Sequence, residues 1–393
     1  MISLCYLPNT EQSPMITLES YKSGEYRTDR TGYQYFVPSD INSAWTWDNQ
    51  LINSLTERAA IKLGELNSYA RLVPNIDLFI QLQVTKEAVV SSRIEGTQTE
   101  VNEVFLDASE IAIERRDDWQ EVKNYISALN DAITNLDKLP ISSRLLNTIH
   151  KILMQGVRGQ NKMPGQFRKS QNWIGGSSPA KAVFVPPHQD LVPSLMKDLE
   201  KFIHNNELHI PEIIKIAIVH YQFETIHPYL DGNGRIGRLL ITLMLIEKNI
   251  LMQPLLYLSS YFENEKRLYY DNLTSVRTNN DMTQWIKYFL EGIIENAEES
   301  SNKLSEVLAL KVQLEKLITT TFGRRTDKAL LMLNHLFKNP IILVREIQSA
   351  LSVTYKSANS MVQKFEEEGI LKPYRSGLRN RRFIFSSYLE LFE

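Results

Sequence analysis

The sequence of 393 residues predicts a mainly α-helical protein with a small β-hairpin flap and a C-terminal winged helix-turn-helix domain. Apolar residues recur at helical spacing through most of Trp45–Leu310, which is the pattern of amphipathic helices. Glycine, proline and short β-prone pieces interrupt this pattern between Gly159 and Pro187 and indicate a hairpin. After Gly323, three helical segments and two strands around a basic turn describe a winged helix-turn-helix.

The individual helices follow from the same periodicity. Residues 1–45 are interrupted by proline and glycine and are predicted to be an irregular arm. The predicted helical segments are Trp45–Val90 (two helices), Asp117–Leu136, Ser142–Gly156, Leu191–His204, Ile210–Thr225, Arg238–Lys248, Lys266–Arg277, Met282–Leu310, Asp327–Phe337, Val344–Leu351 and Lys356–Glu368. The predicted domains are an N-terminal arm and helical region (1–115), a core (116–300), a linker helix (301–323) and the winged helix (324–393).

Composition narrows the class of protein. Hydrophobic residues make up 43% and charged residues 23%, which is ordinary for a globular protein, and no apolar run is long enough to span a membrane. The N-terminus lacks both the basic start and the apolar stretch of a secretory signal. The single cysteine, Cys5, cannot form an internal disulfide. We therefore expect a soluble cytoplasmic protein without a membrane partner.

Charge is distributed unevenly. The chain has a net charge of −2, yet residues 324–393 hold twelve lysines and arginines against seven acidic residues. A nucleic-acid role is therefore confined to the winged helix, where the basic residues could contact phosphates. These are Lys356, Lys364, Lys372, Arg375, Arg379, Arg381 and Arg382. Because winged helices also dock proteins, a DNA partner and a protein partner both stay open.

The strongest chemical pattern is His227–Arg238, HPYLDGNGRIGR, termed the signature segment below. Gly232 and Gly234 precede an amphipathic helix, so backbone N–H groups can converge on an anion at the N-terminus of that helix. Arg235 lies three residues before Arg238 on one helical surface, so both guanidinium groups can reach one polyphosphate.

Two side chains of the signature segment suit catalysis on a phosphate. Asp231 offers a hard oxygen for Mg²⁺, and His227 titrates near neutral pH and is a candidate general base. The spacing Gly232-x-Gly234-x-x-Gly237 also matches a dinucleotide fingerprint. That fingerprint requires a preceding strand, whereas the residues before this segment are predicted to be helical.

At these residues the sequence resembles the Fic family, whose signature is His-Pro-Phe-x-Asp-Gly-Asn-Gly-Arg-x-x-Arg. Only Tyr229 departs from it, standing where phenylalanine is commonest, and its added hydroxyl needs a partner. The resemblance extends over roughly residues 30–300 and implies a Fic-fold helical bundle. It also implies a protein adenylyltransferase that moves AMP from ATP to a Ser, Thr or Tyr hydroxyl of a target protein.

The resemblance implies a role for each signature residue. His227 would take the proton of the target hydroxyl, and Asp231 would hold Mg²⁺ against the α- and β-phosphates. Arg235 would stabilise the leaving group and Arg238 would bind the γ-phosphate. The remaining nucleotide-binding residues would be Gly232, Asn233 and Gly234 in the anion hole, Ile236 and Gly237 in the helix, Val183, Phe184 and Val185 in the flap that aligns the target, and Tyr269 and Tyr270 beside adenine.

A second motif precedes the core. Glu95 lies in the last turn of a predicted helix that Gly96 stops, where a carboxylate meets the negative end of the helix dipole. The sequence Ser91-x-x-x-Glu95-Gly96 is similar to the inhibitory motif of Fic proteins, whose glutamate pairs with the second signature arginine, here Arg238. The resemblance therefore implies autoinhibition.

Alternatives remain open. A different nucleotide or a phosphocholine could be the transferred group, and a transcription regulator could use the winged helix alone. Removal of AMP by the same site and a homodimer, both found among relatives, are further alternatives that the residues do not decide.

Overall fold

The computed structural model describes residues 15–72, 76–157, 159, 161–374 and 381–392. The chain divides into two compact units. The first unit comprises Met1–Thr56, Phe167–Pro228 and Tyr270–Leu290, and the second comprises Glu57–Gln166, Tyr229–Tyr269 and Glu291–Glu393. The predicted domain limits remain a prediction, although the limit predicted at residue 300 lies inside one continuous helix.

Helices dominate, which confirms the prediction of a mainly α-helical fold. In chain order they are α1 (Gln50–Leu72), α2 (Asp77–Ile94), α3 (Arg116–Asn135), α4 (Ser143–Leu153), α5 (Val192–His204), α6 (Glu212–Ile226), α7 (Asn233–Glu247), α8 (Ser259–Asn264), α9 (Lys266–Asn279), α10 (Met282–Thr321), α11 (Thr326–Lys338), α12 (Val344–Leu351), α13 (Tyr355–Glu367) and α14 (Ser386–Leu389). In the described ranges, no helix has the length and apolarity needed to cross a bilayer.

Short strands pair at the beginning of the chain, which corrects the prediction of an irregular arm over residues 1–45. Strand β1 (Met15–Thr17) pairs in parallel with β4 (Ala44–Thr46), and β2 (Gly24–Thr28) pairs with β3 (Gln34–Pro38) as an antiparallel hairpin. Gly24 has a φ of +152°, and a Cβ there would collide with the carbonyl of Val37 on β3. The close approach of the two strands therefore requires glycine at residue 24.

Helix α6 forms the centre of the first unit. Every residue from Ile213 to Ile226 is buried, so the helix is enclosed on all faces, not along one apolar stripe only. The indole N–H of Trp285 donates to the carbonyl of Ala217 at 2.9 Å, and His220 stacks on the Trp285 ring. His220 is thus a packed residue, as the lack of a metal-ligand spacing around it predicts.

The C-terminal region lies in the second unit and carries the elements predicted for a winged helix. Strand β5 (Ile341–Leu343) separates α11 from α12, and after α13 strands β6 (Lys372–Pro373) and β7 (Arg382–Ile384) complete an antiparallel sheet in the order β5-β7-β6. Of the predicted basic turn, Arg379 and Asn380 lie outside the described residues, as does Arg375, whereas Arg382 begins β7. Assignment as a winged helix domain remains a prediction.

Candidate active site

The two units divide the signature segment between Pro228 and Tyr229. In the first unit, α6 ends at Ile226 and is followed by His227, whose φ of 50° and ψ of 61° lie in the left-handed region. This conformation is uncommon for a residue with a side chain and costs roughly 1–3 kcal/mol. The surrounding contacts must therefore hold His227 in place.

Arg168 supplies those contacts. Its Nε donates to the carbonyl of His227 at 2.9 Å, and its backbone N–H donates to the carbonyl of Pro228 at 2.9 Å. Its Nη2 donates to the carbonyl of Pro187. Burial lowers the pKa of Arg168 to about 10, so the guanidinium stays charged at neutral pH. Sequence reasoning did not select Arg168, because nothing local shows that it reaches His227.

The imidazole of His227 is half-buried, and its Nδ1 lies 3.3 Å from the carbonyl of Glu224. A carbonyl can only accept, so this contact favours a proton on Nδ1 and makes Nε2 the basic nitrogen. The arrangement suits a general base that takes a proton through Nε2.

The predicted flap also belongs to the first unit. Ile174 and Phe184 form a single antiparallel bridge, and Val183 and Phe184 both donate backbone N–H groups to the carbonyl of Ile174. The predicted hairpin is therefore reduced to this one bridge in the described residues. The side chain of Val183 is 81% exposed, whereas Phe184 and Val185 are buried. The Phe184 ring lies 3.9 Å beneath the Arg277 guanidinium.

In the second unit, Asn233 closes the loop that leads into α7. Its Oδ1 accepts from the backbone N–H of Tyr229 at 2.8 Å, and its Nδ2 donates to the carbonyl of Tyr229 at 2.8 Å. The Asn233 side chain is thus used within the loop, and what it offers an anion is its backbone N–H. The Tyr229 hydroxyl donates to Oδ1 of Asn147 at 2.9 Å, which is the partner that the hydroxyl was expected to need.

His150 supports the same loop, although sequence reasoning did not select it. Its Nδ1 accepts from the Gly165 N–H at 2.8 Å, so Nε2 carries the proton and donates to the carbonyl of Asp231 at 3.0 Å. Its ring stacks on Tyr229 at 3.9 Å. Burial lowers the pKa of His150 to about 4, which keeps the ring neutral. Gly232 follows Asp231 in the chain and has a φ of +77°.

The first turn of α7 forms an anion cradle. The backbone N–H groups of Asn233, Gly234 and Arg235 have no carbonyl four residues earlier in the helix, and they lie at the positive end of its dipole. The Glu95 carboxylate occupies the space in front of Gly234, because a Cβ on that glycine would collide with Glu95 Oε1. A carboxylate of the protein therefore lies directly against Gly234 at the beginning of α7.

Arg238 holds this carboxylate. Its Nη2 donates to Glu95 Oε1 and to the carbonyl of Ser91, both at 2.8 Å, and its Nε donates to Ser91 Oγ at 2.9 Å. Arg238 is only 3% exposed, whereas the Glu95 side chain is 36% exposed. Gly96 follows with a φ of +107° and ends α2, as its sequence position predicts.

Arg235 has a buried partner that sequence reasoning did not identify. Its Nη1 donates to Oε2 of Glu121 on α3 at 2.9 Å, and its Nη2 lies 3.6 Å from Oδ1 of Asp231. Within the described residues, the buried Nε of Arg235 has no hydrogen-bond partner. An unsatisfied buried donor on a cation is what an anionic ligand would use.

Asp231 is the one carboxylate of the signature segment. It is exposed, and its Oδ1 accepts from the Gly232 N–H at 2.6 Å. The described residues hold no cluster of three or more His, Cys, Asp or Glu side chains that could bind a metal alone. A single accessible carboxylate fits Mg²⁺ that takes most of its ligands from water and substrate phosphates.

The remaining predicted site residues differ in how deeply they are buried. Ile236 is fully buried, and Gly237 is buried in α7. Tyr269 is buried and stacks on Phe262 at 4.4 Å, whereas Tyr270 is 38% exposed. Adjacent residues of α9 face in different directions, so Tyr269 packs in the core.

Comparison with protein families and known proteins agrees with these features. The Fic/DOC family N-terminal model matches residues 53–134, and the Fic/DOC family model matches residues 140–245. A probable protein adenylyltransferase of Aquifex aeolicus is 27% identical over 176 residues, which cover 45% of this chain and 52% of that protein. The protein adenylyltransferase Fic of Aedes aegypti is 25% identical over 252 residues, covering 58% and 47%. The chain spans about half the length of these relatives.

A solved structure shares the fold. The crystal structure of a Fic family protein from Desulfovibrio desulfuricans G20 superimposes with a TM-score of 0.55 and 20% identity. The alignment covers 86% of this chain and 96% of that chain, so the shared fold extends well beyond the segments that the family models match.

Proposed function

Because this chain belongs to the Fic/DOC family, we propose that it is a protein adenylyltransferase, which transfers AMP from ATP to a Ser, Thr or Tyr hydroxyl of a target protein. The observation that carries the proposal is the Glu95 carboxylate, which Arg238 holds against Gly234 at the beginning of α7. The cradle and the two buried arginines suit a polyphosphate, which supports ATP as the substrate.

The reaction is a substitution at the α-phosphate. The target oxygen forms a bond to the α-phosphorus, the bond from that phosphorus to the bridging oxygen breaks, and pyrophosphate leaves. Nε2 of His227 takes the hydroxyl proton. Arg235, oriented by Glu121, faces the negative charge that grows on the leaving group. Bound Mg²⁺ would neutralise phosphate charge, and Asp231 is the residue that would hold it.

The flap aligns the target in this proposal. An extended segment of the target would align with the flap at Val183, beside the Phe184 backbone that pairs with Ile174 and the Val185 carbonyl that accepts from the Phe36 N–H at 2.9 Å. The side chain of Val183 is exposed and available to the target, whereas the buried side chains of Phe184 and Val185 anchor the flap to the first unit.

Glu95 inhibits the reaction in this proposal. Its carboxylate repels a γ-phosphate at the same guanidinium, so ATP either fails to bind or binds misaligned for in-line attack. Ser91 strengthens the inhibited state because it adds two acceptors for Arg238 on the same helix as Glu95.

The experiment is self-modification or target modification with ATP and Mg²⁺, followed by intact-protein mass spectrometry. Glu95→Gly should increase the fraction of protein that gains the mass of one AMP, and Glu95→Gly combined with His227→Ala should gain none. Parallel incubations with the other nucleoside triphosphates and with CDP-choline distinguish other transferred groups. An unmodified Glu95→Gly protein under all these conditions would contradict the proposal.

DNA binding by the C-terminal region is a second candidate function. Tyr355 and Lys356 are exposed at the beginning of α13, where a recognition helix would meet a groove. Arg382 cannot contribute, because it is buried and donates to Asp107 at 2.7 Å and to Glu110. Lys364 pairs with Glu368 at 2.7 Å. Retention on duplex DNA that falls with salt, and falls further in Lys356→Ala, would support this function.

A further inference from the structure

A buried carboxyl group on α2 has no part in the chemistry described above. Glu87 is 4% exposed, and its Oε1 accepts from the Tyr125 hydroxyl at 2.9 Å and from the Ser259 hydroxyl at 2.5 Å. Tyr125 lies on α3 and Ser259 begins α8, so one side-chain oxygen ties three helices together.

Glu87 lies on the helix that holds Arg238. Residues four apart on a helix share a face, so Glu87, Ser91 and Glu95 form one row along the last turns of α2. Ser91 and Glu95 both accept hydrogen bonds from Arg238. Burial raises the pKa of Glu87, and the Arg238 charge offsets part of that rise, so the carboxyl group lies within electrostatic reach of Arg238.

Burying this carboxyl group costs free energy of folding unless its hydrogen bonds offset the cost. Burial raises the pKa of Glu87 to about 7, while its two hydroxyl donors and Arg238 act in the opposite direction. A cavity of about 20 Å³ borders Glu87, enough for roughly one water molecule. A leucine at this position would avoid the cost of burying an ionisable group, so the carboxyl group must serve through the hydroxyls that it accepts from.

We propose that Glu87 is a positioning residue, which fixes α2 against α3 and α8 and thereby sets how firmly Ser91 and Glu95 hold Arg238. This inference rests on the proposed function, because it concerns the inhibition of that same site. Glu87 acts through α2 and touches neither the nucleotide nor the target.

Two substitutions separate the hydrogen bonds from the rest of the side chain. Glu87→Gln keeps a carbonyl oxygen that accepts from Tyr125 and Ser259, whereas Glu87→Leu leaves both buried hydroxyls without their acceptor. Thr85→Val is the matched control, because it removes another buried hydroxyl of α2, whose hydrogen bond in the described residues is to the carbonyl of Gln81 within its own helix.

The assay is AMP transfer by the full-length chain, with thermal unfolding to verify folding. Glu87→Leu should increase transfer about fivefold or more, as expected when two buried hydroxyls lose a partner. Glu87→Gln and Thr85→Val should stay within about twofold of the parent. In a Glu95→Gly background, Glu87→Leu should add no further increase, because the inhibitory contact is already absent.

The outcomes that overturn the inference are distinct from failure of the proposed function. Equal transfer by Glu87→Gln and Glu87→Leu, or reduced transfer by Glu87→Leu in both backgrounds, would mean that Glu87 serves folding only. If Glu95→Gly itself does not increase transfer, the inhibitory part of the proposed function fails instead.

Discussion

Removal of the Glu95 carboxylate should strengthen ATP binding by an amount that the structure allows us to calculate. Nη2 of Arg238 lies 2.8 Å from Glu95 Oε1. Two unit charges about 4 Å apart attract by about 4 kcal/mol at an effective dielectric constant of about 20, which sets the upper limit. The Glu95 side chain is 36% exposed, so water screens the pair. A charged hydrogen bond is then worth about 1.5–2 kcal/mol, or roughly a 10- to 30-fold change in affinity.

The assay is isothermal titration of ATP and Mg²⁺ into proteins that all carry His227→Ala, so that no AMP is transferred during the titration. Adding Glu95→Gly should lower the dissociation constant of ATP about 10- to 30-fold. Glu65→Gln controls for the general loss of one negative charge, because Glu65 is an exposed residue of α1 that pairs with Lys62. Equal affinities of the Glu95→Gly protein and its parent, or an equal gain from Glu65→Gln, would refute the reasoning.

Three further predictions concern the supporting residues. Arg168→Met should lower kcat about tenfold or more and change the KM for ATP little, because the charged hydrogen bond that holds the left-handed His227 is lost. Steady-state kinetics in which only KM changed would contradict this prediction. Glu87 binds its proton more tightly in the folded state, so the free energy of unfolding should fall by about 3 kcal/mol as pH rises from about 4.5 to 7. Urea unfolding of Glu87→Gln should show a smaller fall over this pH range. A fall identical to that of the parent protein would refute the raised pKa of Glu87. Arg382→Met and Asp107→Asn should show a coupling of only about 1 kcal/mol in a double-mutant cycle of unfolding, because water screens the largely exposed Asp107 side chain. Additive effects of the two substitutions on the free energy of unfolding would exclude the contact.

Much of the helical fold is readable from the sequence, because amphipathic periodicity is a local property. Helices α3, α5, α11 and α12 begin and end within one or two residues of their predicted limits. The strands at the start of the chain were missed because pairing of β1 with β4 joins residues far apart in sequence. Proline and glycine in that region mask the short strands between them.

The signature segment was readable because its residues lie next to one another in the chain. The residues that hold this segment in place could not be predicted, because each contacts it across a long sequence separation. Arg168 reaches the carbonyl of His227, Glu121 reaches Arg235, and His150 reaches the carbonyl of Asp231. No local pattern distinguishes a buried arginine or histidine with such a partner from an exposed one.

The flap shows a further limit of sequence reasoning. The β-prone residues around Val183 and Ile174 predicted a hairpin, yet the described residues form one bridge. Gly175 and Gly176, both with φ near +70°, turn the chain immediately after Ile174 and end the pairing. Strand propensity therefore identified the correct pair of segments, while the turn glycines limited the length of the ladder.

The central claim is that the α-phosphate of ATP, with its adenosine, becomes attached to protein. The most direct measurement incubates the Glu95→Gly protein with ATP labelled at either the α- or the γ-phosphate. The proposed function predicts protein-bound α-label, loss of γ-label as pyrophosphate, and no protein label from either after His227→Ala is added. Protein-bound γ-label, or α-label that persists without the imidazole, would contradict it.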